Sequence, residues 1–149
     1  MATVYSVAAT KYATTPKTLF EASEFKGNAY VAYDYYTAPG VIGAADVIKF
    51  MRLPAGARVV EVTLSHDDLG ATGSCKFGYE ANGVDVADDD AFLTAVNLNA
   101  AANTVQMSDE VNVPGFGKQF TVETQLSVTM TAITTVAGTI KIAVTYVTE

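Results

Sequence analysis

Ala44-Ala45-Asp46-Val47-Ile48-Lys49-Phe50-Met51-Arg52-Leu53-Pro54-Ala55-Gly56-Ala57-Arg58-Val59-Val60-Glu61-Val62-Thr63-Leu64 decides how this chain folds. It reads as strand, turn, strand. Residues 47–53 form an apolar-rich run that ends at Pro54-Ala55-Gly56. Proline fixes φ and glycine tolerates positive φ, so the pair marks a corner. Beyond the corner, Val60, Val62 and Leu64 alternate with Glu61, Thr63 and Ser65. Strict alternation puts one set of side chains on a core and the other toward water.

The same period of two recurs along the chain. Leu126, Val128, Met130 and Ala132 alternate with Ser127, Thr129 and Thr131, while Ile140, Ile142, Val144 and Tyr146 alternate with Thr139, Lys141, Ala143 and Thr145. Residues 29–36, 75–81 and 120–124 read as further strands. The breaks fall at Pro39-Gly40, Gly70 with Gly73, Asn82-Gly83, Pro114-Gly115 and Gly138. Many short strands with regular turn signals predict an all-β fold, a β-sandwich of jelly-roll-like type. One stretch breaks the period. Asp88-Asp89-Asp90 precede an apolar run in which Phe92, Ala95 and Val96 could share a helical face. Acidic residues suit a helix N-terminus, so residues 88–98 fit a short helix, with a loop and one strand as the alternative.

A chain of 149 residues suits a single domain with a sizeable core. Alternation is weak before residue 29, where Ala8-Ala9-Thr10-Lys11-Tyr12-Ala13-Thr14-Thr15-Pro16 is small, polar and punctuated. The expected organisation is an N-terminal arm or extended segment over residues 1–28, followed by one β-sandwich domain over 29–149. Half of the residues are apolar and 17% are charged, the opposite of a disordered chain. No apolar run is long enough to cross a bilayer as a helix, and the N-terminus lacks the basic start and apolar stretch of a secretory signal.

Charge is unevenly placed. Residues 1–58 carry six basic and four acidic groups, a net +2, and residues 59–149 carry three basic and twelve acidic groups, a net −9. Nucleic-acid binding depends on neutralising phosphates with Lys and Arg, so an acidic bulk without a basic stripe argues against it. Tyrosine is uneven too, with Tyr5, Tyr12, Tyr30, Tyr33, Tyr35 and Tyr36 all in the first quarter. Tyr suits interfaces by joining apolar area to a polar tip, and it also favours strands, so both readings stand.

The stretch from Ala44 to Leu64 resembles the opening of small bacteriophage head-decoration (cement) proteins. In these an apolar strand, a Leu-Pro-x-Gly-Ala-Arg-type corner and a long alternating strand begin a β-sandwich. The similarity continues through Phe77-Gly78-Tyr79-Glu80, the Asp-rich segment entering Phe92-Leu93, and the Thr/Val-rich hairpin split by Ala137-Gly138-Thr139. It spans about residues 44 to 149 and carries no catalytic signature. The resemblance implies a non-enzymatic virion protein that binds the outer surface of the capsid and stabilises the icosahedral head. It also implies a major capsid protein as partner, a homo-oligomer (often a trimer) at local threefold positions, and assembly in the host cytoplasm. On this reading the locally basic, tyrosine-rich Tyr5, Lys11, Tyr12 and Lys17, with Tyr33 and Tyr35, form the protein interface. A tail, neck or baseplate component and a glycan-binding β-sandwich module using the Tyr33-Asp34-Tyr35-Tyr36 cluster are the alternatives.

Other chemistry finds little support. His66 is the single histidine, and its neighbours Asp67 and Asp68 say nothing about spatial proximity. Cys75 is the one cysteine and lies on an apolar alternation with Phe77 and Tyr79, as a buried small hydrophobe does. No intramolecular disulfide is available, and one His with one Cys cannot make a tetrahedral zinc site. The run from Asn82 to Asp90 offers oxygen ligands for calcium, but its spacing departs from the EF-hand loop, and a solvated acidic loop is the plainer reading. Gly115-Phe116-Gly117-Lys118 precedes a strand and offers no helix N-terminus for phosphate. The expectation is no catalytic residue and no cofactor, with metal binding at Asp88–Asp90 left open.

Overall fold

The computed structural model describes residues 28–99, 102–110 and 114–148. Eight strands follow in chain order: β1 (Asn28–Ala38), β2 (Val47–Leu53), β3 (Ala57–His66), β4 (Ser74–Tyr79), β5 (Asp88–Asn97), β6 (Asn103–Gln106), β7 (Thr124–Ala132) and β8 (Gly138–Thr148). A single 3-10 turn, Met107–Asp109, is the one helical element among the described residues. The strands form two four-stranded antiparallel sheets, ordered β1-β8-β3-β6 and β2-β7-β4-β5. The chain changes sheet at every connection except β4 to β5, which gives the sandwich its jelly-roll-like winding.

Alternation explains which side of each strand is buried. Val62, Leu64, Ile140, Ile142 and Val144 line the inner face of the first sheet, and Phe77, Leu126, Val128 and Met130 line that of the second. Each such side chain contributes about 1.5–3 kcal/mol on full burial. Tyr79 packs edge-on to Phe120 at 5.0 Å between ring centres, and Phe92 lies 5.6 Å from Phe77, closing one end of the core with aromatic rings. The corner after β2 is a tight turn. The Ala57 N–H donates to the Pro54 carbonyl at 3.2 Å, and Gly56 sits at φ 85°. Its own N–H donates to the Phe120 carbonyl at 2.7 Å, tying the corner to the chain that leads into β7.

Three expectations need correction. Residues 88–98 are not a helix, because Asp88–Asn97 is strand β5, paired with β4. The register shifts twice along that pair, leaving Ala91, Phe92 and Leu93 buried in succession. Such a run breaks the period of two and imitates a helical face. Residues 120–124 are not a strand of their own. Gln119 makes an isolated bridge to Arg58, Phe120 is buried in an irregular segment, and β7 begins at Thr124. Val60 does not belong to the inner face either. A register shift between Val59 and Glu61 against β8 turns Val59 inward and leaves Val60 exposed.

Candidate functional site

Among the described residues, β1 is one of the two outer strands of its sheet, and it pairs with β8 without interruption from Asn28 opposite Thr148 to Ala38 opposite Gly138. Its even-numbered residues turn inward, where Ala32 and Tyr36 pack on the core. The odd-numbered Val31, Tyr33 and Tyr35 therefore stand on the outer face. They are 64%, 81% and 67% exposed, values at which these side chains contribute almost nothing to the core.

The strand register places neighbours beside these rings. Tyr33 lies opposite Ala143, which lies opposite Thr63, and Tyr35 lies opposite Lys141, which lies opposite Ser65. Small Ala143 between bulky Tyr33 and the β3 residues leaves a shallow groove of about 220 Å³, lined by Tyr33, Tyr35, Thr63, Ser65, Lys141 and Ala143. The Ser65 hydroxyl meets the Thr104 hydroxyl of β6 at 2.9 Å, extending a polar wall away from the tyrosines. The Tyr35 N–H donates to the Asp34 carboxylate at 2.8 Å, so an acidic side chain sits on the strand's edge.

Tyr33 and Tyr35 are thus brought together on one face. Tyr5, Lys11, Tyr12 and Lys17 lie outside the described residues. Thr63, Ser65, Lys141 and Ala143 were not singled out from sequence. Each occupies the outward phase of an alternating strand, but only the β1-β8-β3 register reveals that they share a groove with Tyr33 and Tyr35.

The other candidates have the following surroundings. Asp88, Asp89 and Asp90 hold carboxylate oxygens within 4.8 Å of one another at the start of β5. The Lys76 ammonium already lies 3.2 Å from Asp90 and 3.6 Å from Asp89. Its hydrogen bond holds the Asp90 carboxyl below the usual range, while burial, with a hydrogen bond to Asp90, raises that of Asp88. Lys118 donates to Asp85 and stands over the Tyr79 and Phe120 rings, which makes Gly115-Phe116-Gly117-Lys118 a braced loop. Cys75 is fully buried, and burial pushes its thiol up to about 12. His66 is buried at the C-terminal end of β3 with Nδ1 2.7 Å from the Asp67 carbonyl.

No family model matches this sequence, and no curated protein matches it. Solved structures do match in fold. A chain of the cyanophage Pam1 capsid asymmetric unit aligns with a TM-score of 0.65 at 22% identity, covering 84% of this chain and 88% of that one. A chain of the capsid of Ralstonia phage GP4 aligns with a TM-score of 0.62 at 20% identity, covering 83% of this chain and 86% of that one. At such identities the likeness is one of fold, and it extends over more than four fifths of each chain: the described residues form an eight-stranded sandwich similar to chains found in two phage capsids.

Proposed function

We propose that this chain is a non-enzymatic structural protein of a phage virion, bound to the outer surface of the capsid and stabilising the icosahedral head. The observation that carries the reading is the exposed Tyr33–Tyr35 face on a sandwich similar in fold to chains of two phage capsids. Rings held on a regular strand lose little further freedom on docking, and Tyr is enriched where protein surfaces meet. The major capsid protein is the proposed partner, with Tyr33 and Tyr35 on the sandwich and Tyr5, Lys11, Tyr12 and Lys17 on an arm of residues 1–28 forming the contact. Packaged DNA presses outward on a shell, and a clamp spanning several subunits opposes that pressure by adding interface area. A specific interface of about 1,600 Å², repeated over many copies, supplies large total stabilisation from modest individual affinity.

Quantitative mass spectrometry of purified particles tests the proposal. Copies in a simple ratio to the major capsid protein are the expected result, whereas absence from particles would refute it. Deleting residues 1–17 should leave the sandwich folded and abolish attachment, and normal occupancy of the truncated chain would remove the arm from the contact. One observation favours a second reading, a glycan-binding module: the Tyr33 and Tyr35 rings border an apolar groove, the kind of surface on which a sugar face stacks. Saccharide binding by the isolated protein that disappears in Tyr35→Ala would support it.

A further inference from the structure

The Tyr33–Tyr35 face borders a second feature with different chemistry, the main-chain edge of β1. Among the described residues, β8 pairs with one side of β1 and no strand pairs with the other. That edge runs for 11 residues without proline, lysine or a register shift. Long, regular edges are normally blunted or covered, because a row of unpaired N–H and C=O groups recruits another strand. In an antiparallel strand, alternate residues turn their main-chain groups to alternate sides. The Tyr35 N–H bonds to the Asp34 carboxylate instead of to β8, which assigns Val31, Tyr33 and Tyr35 to the open side. A side chain there occupies the place of a missing strand at one position only.

From these observations we infer that residues 1–20 of a neighbouring copy of this chain add as a strand to the β1 edge, with their side chains against Tyr33 and Tyr35. The inference rests on the proposed arm and names where it docks: laid beside β1 in the same sheet, the arm presents its outward side chains together with Tyr33 and Tyr35 as one face to the capsid protein. Two features select this occupant. The first 20 residues carry Lys11 and Lys17 and neither Asp nor Glu, which complements Asp34 on the edge and the acidic sandwich behind it. The 27 residues before Asn28 can also extend roughly 90 Å, enough to leave their own sandwich and reach another. Strand addition supplies main-chain hydrogen bonds for affinity, while the rings and groove select the residues that face them. Exchange of arms would link copies without any capsid protein present.

The test therefore uses the isolated protein. Light scattering on the full chain should give a multiple of the single-chain mass, and the chain lacking residues 1–20 should fall to the single-chain mass with an unchanged circular dichroism spectrum. Val31→Pro removes an N–H from the open side without touching the pairing to β8, and it should lower the oligomeric mass in the same way. Tyr5→Cys and Tyr35→Cys on two differently tagged copies should form a disulfide between copies, with buried Cys75 left unreacted. A full chain that runs as a single copy, a truncated chain that keeps the oligomeric mass, or the absence of a disulfide between the two singly substituted copies would each overturn the inference. Should truncation prevent folding, the disulfide experiment still decides. Failure of capsid attachment bears on the proposed function alone, since none of these measurements involves a capsid.

Discussion

Lys118, in the loop that leads toward β7, reaches Asp85 in the β4–β5 loop with 2.5 Å between ammonium and carboxylate oxygen. Asn82 completes the arrangement. Its side-chain oxygen accepts from the N–H groups of Val84 and Asp85, and its amide donates to Asp85 and to the Thr124 hydroxyl. Two loops distant in sequence are fixed to each other and to the start of β7.

Removing this pair should loosen one end of the sandwich. Lys118→Ala loses the ion pair and the contact over Tyr79 and Phe120, an expected cost of about 1–2 kcal/mol in urea unfolding. The hydrogen bond lowers the Asp85 carboxyl and raises the Lys118 ammonium. A depressed carboxyl stabilises above its unfolded value and loses that contribution as pH falls through its folded value. A raised ammonium stabilises below its unfolded value and loses it as pH rises through its folded value. The wild-type advantage over Lys118→Ala should thus be widest near neutral pH and shrink in acid and in strong alkali.

Asp88 behaves in the opposite sense to Asp85. Burial raises its carboxyl, so ionisation at neutral pH opposes folding. Asp88→Asn should raise the unfolding midpoint at pH 7 and lose that advantage as pH falls through the raised folded value to the ordinary Asp range. Melting curves across that window check the sign.

Gly78 faces the backbone of β5 at close range. A Cβ on it would lie 1.9 Å from the Asp88 carbonyl oxygen, a contact that no rotamer change can relieve. Gly78→Ala should force β4 and β5 apart and cost about 2–3 kcal/mol, measured by denaturant unfolding. Gly40→Ala serves as the control, because its Cβ would meet nothing within 4 Å.

Tyr33→Ala and Tyr35→Ala should change stability by no more than about 0.5 kcal/mol, as expected of exposed side chains. Their expected effect is on occupancy of purified heads, read by quantitative mass spectrometry. Occupancy unchanged in the double substitution would remove this face from the capsid contact.

Cys75 offers an internal reporter. With its thiol pushed up to about 12 and no exposed surface, it should resist a thiol reagent at pH 8 in the native protein and react once urea unfolds the chain. Rapid labelling without denaturant would mean that β4 opens locally.

The sequence made the strands legible wherever alternation was clean. Residues 47–53 coincide with β2, and the alternating residues around Val128 and Ile142 became β7 and β8. Legibility failed where a register shift altered the phase. In β5 it buried three residues in a row, and in β3 it moved Val60 to the outside. Strand β6 has four residues, too few to display a period. The candidate site divided in the same manner. Tyr33 and Tyr35 stood out by residue type, whereas Ala143, Thr63 and Ser65 gain significance only through pairing between strands remote in sequence.

The pairing of Asn28 with Thr148 sets a rule for engineering this chain as a display scaffold. Strand β1 begins where β8 finishes, so cargo fused behind β8 would emerge beside the entry of residues 1–27 and crowd whatever that segment reaches. The β7–β8 connection leaves from the opposite end of the sheet, where Val136 is exposed. A peptide inserted between Val136 and Ala137 would project from the end of the sheet opposite the Asn28–Thr148 pair.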